Sequence, residues 1–339
     1  MVNEAVDGIL NKLDTMNKPL EEVFMGFIQD AETLSIPFSD SVLLHPQSPP
    51  GEWADFWEER EYSLQGVAEL DGPVLSLSRG QPLDVVAVDA SIVRVAESRL
   101  GTVVGLRAAV VHRSGGVSVE VFGPFLRLIK SQSPASLGHE AREELRYFER
   151  MVQLWVLANI RAGIYLFDGT LAAWYERAGG ILDSILDLAE YSSRAILAFS
   201  KESLLMRGWQ GVGLEDGSPK PPYVRDLTEA AKTMWSGLRP ICNIYLARLT
   251  PALHELRVDA YPPGMGIDAL SSLISSDALI HGYPETLILA HAHAAFSWMD
   301  VVALKGALLG NKNPAVSSIF SPRLTVLTPF ETRRYENPT

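Results

Sequence analysis

The sequence predicts an α/β fold whose mixed sheet begins with three antiparallel strands, is flanked by helices and carries helical additions at both ends of the chain. Three β-rich segments follow one another directly, namely DVVAVDASIVRV, TVVGLRAAVVHR and VSVEVFG. The Ser-Gly-Gly between the last two is typical of a hairpin turn. The segment GIYLFDG then follows a long helical pattern, and its continuous apolar character indicates a strand covered on both faces. A meander followed by helix-connected strands gives a mixed sheet.

The helices and strands around this central strand follow from periodicity. We expect a helix at about residues 135–160, since Pro134 lies near its start and the pattern that follows is long and periodic. After the central strand come a helix at about 170–190, the short strand RAILAFS and a helical start at Lys201. The predicted order of the main domain is therefore β-β-β-α-β-α-β-α.

The second half of the chain begins with a segment that fits neither periodicity. Residues 207–225 are rich in Gly and Pro and predict a long loop or insertion. A helix at 226–238, strands in ICNIYLARL and LHELRVDAY, and a helix-rich tract at about 265–310 are expected beyond it.

Composition divides the chain into three regions. Residues 1–80 combine amphipathic helical patterns with a Pro- and Gly-rich linker, 81–320 form the main domain, and 321–339 form a C-terminal tail. A chain of 339 residues with 47% hydrophobic content can bury a large core. The single Cys242 cannot form an internal disulfide, and its apolar neighbours predict a buried, inert thiol.

Charge and hydropathy limit the classes of function. A net charge of −12 argues against a free-standing, non-specific DNA binder, because affinity for a polyanion needs clustered basic residues. It does not exclude an enzyme whose acids hold cations inside a locally basic groove. The apolar runs are short and interrupted, and none reaches the roughly 18 residues of a membrane helix. The N-terminus is acidic where a signal peptide would be basic, so a soluble, cytoplasmic protein without membrane attachment is expected.

Two aspartates are the main candidates for chemistry. Asp89 interrupts the apolar run of the first strand near its end, and alternation places it on the same face as Ala87 and Ser91. Asp168 ends the central strand. Either one alone has an ordinary structural explanation, as a turn or helix cap. Together, at the carboxyl ends of neighbouring strands, they are suited to bind one hard divalent cation and to hydrolyse a phosphodiester.

A third acid is expected from the helix between these two strands. It offers four glutamates: Glu140, Glu143, Glu144 and Glu149. Glu149 lies on a helical face with Leu145 and Val152, where a surface glutamate would not lie, and we therefore favour it as a ligand, with Glu144 in reserve. A partly buried structural glutamate is the alternative.

Histidine and basic residues supply the remaining candidates. His291 and His293 are two residues apart on a predicted helix and point in roughly opposite directions, so at most one of them belongs to the site. A lone histidine among apolar residues is more often a satisfied core group, and only proximity to the acids would favour a role for it. Lys201 follows a strand at the end of the sheet where the aspartates lie, and could contact phosphate or be a solvated surface lysine. Further basic residues suited to phosphates are scattered: Arg94, Arg99, Arg248, Arg257 and Lys305.

Four segments, DVVAVDAS, GIYLFDG, AFSKES and GYPETLILAHAHA, resemble in order and spacing those of the archaeal NurA nucleases, over roughly residues 80–310. The resemblance implies a ribonuclease H-like nuclease domain at 81–320 whose acids Asp89, Glu149 and Asp168, with His291, hold Mn²⁺ or Mg²⁺. One departure is Ala90, where the family often has glycine in a DGS motif. Alanine is compatible with extended backbone, so the assignment stands.

The same resemblance implies activity and partners. It implies 5′–3′ exonuclease and single-strand endonuclease activity on single-stranded DNA and duplex ends. It also implies a homodimer that acts with a HerA-type hexameric ATPase in the end resection of homologous recombination and double-strand break repair. An aromatic-rich segment that would be costly to expose on a monomer agrees with a dimer. That segment contains Trp53, Phe56 and Trp57.

Two other classes of function compete. A non-catalytic adaptor of a DNA-translocating ATPase would not need three acids and a histidine. An actin-like phosphotransferase would share strand-end motifs such as DAS, but needs further Gly-rich nucleotide loops. The glycine-dense stretch at 208–217 contains acids and is not expected to join a strand to a helix. A nuclease assay with Mn²⁺ separates the three interpretations.

Overall fold

A computed structural model describes residues 72–98, 101–129, 134–171, 179–200, 220–234, 242–251 and 255–310. The strands of its main sheet are β1 (Val74–Ser76), β2 (Val85–Ser98), β3 (Gly101–Arg113), β4 (Val117–Ile129), β5 (Ile164–Asp168), β6 (Ala195–Ser200), β7 (Tyr223–Asp226), β8 (Asn243–Arg248) and β9 (Leu256–Tyr261). A separate two-stranded hairpin consists of β10 (Leu279–Ile280) and β11 (Tyr283–Pro284). The helices are α1 (Pro134–Asn159), α2 (Gly179–Tyr191), α3 (Thr228–Met234), α4 (Gly266–Ser276), α5 (Glu285–Ala294) and α6 (Trp298–Gly310).

The main sheet is mixed, in the order β1-β7-β8-β9-β6-β5-β2-β3-β4. Strands β2, β3 and β4 form the predicted antiparallel meander, and the chain turns at residues 114–116 between β3 and β4. Strand β5 lies parallel to both β2 and β6, which makes it a central strand as its apolar sequence predicts. The predicted mixed α/β class with an antiparallel start is confirmed.

Helices cover both faces of this sheet, and alternation along each strand divides the core into two layers. On one face, Val88 of β2 and Phe167 of β5 pack with Val152 of α1. On the other, Ala87 and Leu166 belong to a cluster that includes buried residues of α4 and α5. Strand β5 therefore buries both of its faces, which explains its uninterrupted apolar run.

The helices α5 and α6 form a long apolar segment at the end of the described residues. By length and composition alone, the segment Glu285–Leu308 is apolar enough to cross a membrane. Its uninterrupted apolar runs are nevertheless short, as predicted, because polar residues such as His291, His293 and Asp300 interrupt them. The structure divides the segment into helices of 10 and 13 residues, whereas one spanning helix needs about 20. Leu287 and Ala290 of α5 are buried in the core.

Sequence and structure differ mainly at short elements. Strands β1 and β7 are absent from the predicted order, although they pair with each other at one side of the sheet. Strand β7 lies in the segment expected to be a loop, since four residues between Pro-rich and polar neighbours are too few to establish a period. The helix starting near 170 begins at Gly179 among the described residues. The boundaries at residues 80 and 320 stay predictions, and β1 lies before the first of them.

Several predictions concern residues outside the described ranges. These are the N-terminal helices, the aromatic segment at 53–57, the helical start at Lys201, most of the 207–225 loop, Arg99 and the C-terminal tail. The prediction for Cys242 is confirmed, because its side chain is buried, and burial raises the pKa of its thiol well above the usual value.

Candidate metal centre

The two aspartates are brought together by the parallel pairing of β2 and β5. The register aligns Val88 with Phe167, so Asp89 and Asp168 are the next residues on adjacent strands and face the same side of the sheet. Strand β5 ends at Asp168, whereas β2 continues to Ser98. Asp89 therefore lies within its strand, which corrects the expectation that it lies near the end. It sits where its parallel neighbour stops, at the edge where open α/β sheets bind ligands.

His291 joins the aspartates from helix α5, which covers this face of the sheet. Its Nδ1 lies 2.8 Å from Oδ2 of Asp89. Asp89, Asp168 and His291 each offer one ligand atom, and these atoms all lie within 4.8 Å of one another. The aspartate side chain is 7% exposed and the histidine side chain 58%. One buried carboxylate is thus paired with an imidazole that solvent reaches. The proximity to acids that would favour a role for His291 is present, and His293 is not part of the group.

Helix α5 is held on the sheet at both ends, which places His291 over Asp89. At its start, Arg113 of β3 forms an ion pair with Glu285 at 2.6 Å and donates a hydrogen bond to the Thr286 hydroxyl at 3.0 Å. At its end, the Ser91 hydroxyl donates to the Ala294 carbonyl oxygen. Ser91 lies two residues after Asp89 on the same face, so the strand that carries the acid also holds the helix that carries the imidazole.

Glu149 approaches from the opposite layer. Its neighbour Phe148 lies in the core between α1 and the sheet, where the helix packs against β2 and β3. The pKa of Glu149 is raised to about 8, mainly by burial; the charge of Arg150 opposes this rise, and the charges of Asp89 and Asp168 add to it. The charges of both aspartates thus act on a third carboxyl group, although Glu149 is not among the three residues whose ligand atoms lie within 4.8 Å of one another. Three neighbouring carboxylates repel one another, and a cation between them would relieve this repulsion.

Tyr283 is a further residue at this centre, and its role was not predicted from the sequence. Its hydroxyl donates a hydrogen bond to Oδ1 of Asp168 at 2.9 Å, while the Gly169 amide donates to the same oxygen at 3.1 Å. Burial and the nearby acids raise the pKa of Tyr283, so it stays a neutral donor. The tyrosine lies in GYPET, directly before α5, and a tyrosine beside a proline carries no periodic signal that could reveal its contact with Asp168.

Gly169 provides the turn that ends β5. It has a φ of +89°, a left-handed conformation that glycine adopts without strain. The chain thereby leaves the sheet directly after Asp168, and Thr170 and Leu171 become buried.

The predicted basic residues differ in whether their side chains could contact a phosphate. Arg257 is buried at 0% exposure and binds Asp259 through two hydrogen bonds, of 2.8 and 3.0 Å. Its expected suitability for phosphate is therefore wrong, because its guanidinium is committed inside the core. Lys201 lies outside the described ranges, and its role stays a prediction.

The fold and the site together define a class of protein: a mixed α/β sheet that gathers carboxylates on two adjacent parallel strands, at the point where one of them ends. No protein-family model matches the sequence, and no curated protein is significantly similar to it. The NurA nuclease from Sulfolobus solfataricus has a similar fold, with 16% identity, a TM-score of 0.47 and coverage of 70% of this chain and 87% of that one. A NurA structure with manganese is 11% identical, with a TM-score of 0.43 and coverage of 89% and 98%. An endonuclease V from Bacillus subtilis is 10% identical, with a TM-score of 0.34 and coverage of 87% and 95%.

Proposed function

We propose that this protein is a divalent-metal-dependent deoxyribonuclease whose metal centre consists of Asp89, Asp168, Glu149 and His291. The observation that carries the proposal is the convergence of Asp89, Asp168 and His291 within 4.8 Å from three separate elements of the fold. These three side chains are polar, so burial of apolar surface does not explain why they lie together. The buried carboxylate of Asp89, with a second carboxylate beside it, costs free energy unless hydrogen-bond donors or a cation compensate the charge.

The donor set supports the choice of metal. Carboxylate oxygens suit Mg²⁺ and Mn²⁺, and an imidazole nitrogen is better accepted by Mn²⁺ than by the harder Mg²⁺. A bound ion of this kind activates an attacking water and neutralises charge on the leaving oxygen of a phosphodiester. Asp89 and Asp168 would bind the ion from the sheet, Glu149 from α1, and His291 from the solvent side. Tyr283 orients the Asp168 carboxylate through its hydrogen bond.

The basic test is a nuclease assay on the purified full-length chain. We expect degradation of DNA with Mn²⁺, weaker activity with Mg²⁺ and none after chelation with EDTA. A chain that binds no Mn²⁺ and cuts neither single-stranded nor duplex DNA would contradict the proposal and favour the non-catalytic adaptor.

Replacing Tyr283 with phenylalanine should weaken the metal centre without removing a ligand. Tyr283→Phe removes one hydrogen-bond donor to Asp168 and keeps the ring that packs against Phe199 with centroids 5.8 Å apart. Loss of such an outer contact typically lowers metal affinity or activity by about 10–100-fold, and we expect about tenfold here. Mn²⁺ titration calorimetry and initial rates measure the effect. The matched control is Tyr191→Phe, an exposed tyrosine on α2, which should change neither quantity.

The proposed biological setting is cytoplasmic DNA end resection by a homodimer together with a HerA-type hexameric ATPase. This setting rests on the motif resemblance. The same resemblance is the basis for proposing 5′–3′ exonuclease and single-strand endonuclease activity. Physical support comes from charge. With 41 acidic against 29 basic residues, the chain has little long-range attraction for DNA, and salt screens the few phosphate contacts further. A ring-shaped ATPase that docks on the nuclease would raise the local concentration of DNA at the acids.

A cognate HerA-type ATPase with ATP should therefore stimulate the degradation of long duplex DNA by at least about tenfold, because threading replaces weak binding from solution. Short single strands, which reach the acids by diffusion, should be stimulated much less. The measurement compares rates on both substrates with ATP and with a non-hydrolysable analogue. A purified ATPase that neither binds the protein nor changes its rate on long duplexes would exclude this mechanism and leave the metal centre unaffected.

A further inference from the structure

Helix α1 carries two buried polar residues beside Glu149 that the proposed chemistry does not use. Gln153 is 0% exposed and Arg150 is 6% exposed. Residues three and four apart on a helix are surface neighbours, so Gln153 can contact both Glu149 and Arg150. A side-chain amide and a guanidinium are costly to bury unless their hydrogen bonds are satisfied. Both side chains are buried on the same helix as Glu149, so we expect that their hydrogen bonds have a specific role.

A chain of hydrogen bonds links these residues to the loop after Asp168. Arg150 Nη2 donates to the carbonyl oxygen of Thr170 at 3.3 Å, and Arg150 Nη1 donates to Oε1 of Gln153 at 2.8 Å. Gln153 Nε2 in turn donates to Oε1 of Glu149 at 3.0 Å. The chain therefore connects Glu149, on the helical layer, with the turn that follows Asp168, on the sheet.

Arginine determines which way the amide of Gln153 points. A guanidinium only donates hydrogen bonds, so the oxygen of the Gln153 amide must face Arg150 and its nitrogen must face Glu149. The amide thus presents a donor, never an acceptor, to the Glu149 carboxyl group. This contact holds Oε1 of Glu149 and leaves its second carboxyl oxygen outside the contact with Gln153.

We infer that Gln153, oriented by Arg150, is a positioning residue that holds the Glu149 carboxylate toward Asp89 and Asp168, and that this network sets the spacing of the acids from the two layers. The inference rests on the proposed metal centre. It assigns Gln153 no contact with metal or DNA, since its effect passes through Glu149. Outer contacts of this kind typically change metal affinity or activity by about 10–100-fold.

The test is a double-mutant cycle measured by Mn²⁺ binding. Gln153→Met keeps the length of the side chain and removes the donor, and we expect it to weaken Mn²⁺ binding about tenfold or more. In a Glu149→Gln background, the same substitution should have almost no further effect, because the carboxylate through which it acts is gone. A purely structural contribution would lower affinity by the same factor in both backgrounds, which would overturn the inference.

Two further variants keep the result interpretable. Gln153→Asn retains an amide but withdraws it from Glu149, and should also weaken Mn²⁺ binding, which covers the case in which Gln153→Met does not fold. Leu157→Met, one turn further along α1 at a residue with 0% exposure, changes buried packing without a hydrogen bond and should bind Mn²⁺ like the wild type. Wild-type affinity in folded Gln153→Met or Gln153→Asn would overturn the inference while leaving the metal centre standing. Failure of the wild type itself to bind Mn²⁺ would instead refute the proposed function.

Discussion

Asp89→Asn and Asp168→Asn should each reduce Mn²⁺-dependent nuclease activity by at least about 100-fold, since even the loss of one preorganised hydrogen-bond donor from a catalytic centre typically costs about 10²–10³-fold. Both substitutions preserve side-chain size, and an asparagine at 89 can still hydrogen-bond to Nδ1 of His291. The fold should therefore survive, and thermal unfolding should show a melting temperature no lower than that of the wild type. The loss is expected in turnover and in Mn²⁺ affinity together, because both aspartates are proposed ligands.

The matched control is Asp268→Asn, which removes an exposed aspartate from the first turn of α4. It changes the net charge by the same amount and should leave the rate unchanged. Folded Asp89→Asn or Asp168→Asn protein that degrades DNA at the wild-type rate across a metal titration would rule out the assigned centre. If Asp268→Asn lost as much activity as the two variants, the loss would be an effect of net charge and not of the metal centre.

The affinity of the metal-free protein for Mn²⁺ should rise steeply with pH up to about pH 8, the raised pKa of Glu149. Burial favours the protonated carboxyl group, whereas a metal ligand must be ionised, so a proton and the metal compete for this side chain. Below pH 8 the ionised fraction falls about tenfold for each pH unit, and the apparent affinity should fall with it. Above pH 8 the contribution of Glu149 should level off.

Glu149→Gln isolates this effect from the titration of other ligands. The variant should bind Mn²⁺ more weakly at pH 8 than the wild type, and the ratio of the two affinities should shrink toward pH 6. Calorimetry in buffers of different ionisation enthalpy should also show that the wild type releases more protons on binding than the variant. Parallel pH profiles for the two proteins would show that Glu149 is not the titrating ligand.

The sequence alone was sufficient for features that depend on local patterns. Three consecutive β-rich segments with a Ser-Gly-Gly turn predicted the meander β2–β4, and the apolar run Ile164–Phe167 predicted a central parallel strand. The helix predicted at 135–160 is Pro134–Asn159. The sequence also predicted that Asp89 and Asp168 lie together on neighbouring parallel strands, although β2 continues past Asp89 to Ser98. These predictions succeed because hydrophobic periodicity, and the order in which strands and helices follow one another along the chain, can be seen in contiguous residues.

Tertiary structure decided which polar groups meet across long separations in the sequence. Whether His291 is a core histidine or a neighbour of Asp89 depends on how α5 is held by Arg113 and Ser91, which lie on other elements. Tyr283 contacts Asp168 across 115 residues of sequence. The burial of Arg257 depends on a partner two residues away and on layers that cover both. Such contacts are set by packing between elements, because a side chain's neighbours in space, unlike its period along the chain, are determined only when the layers assemble.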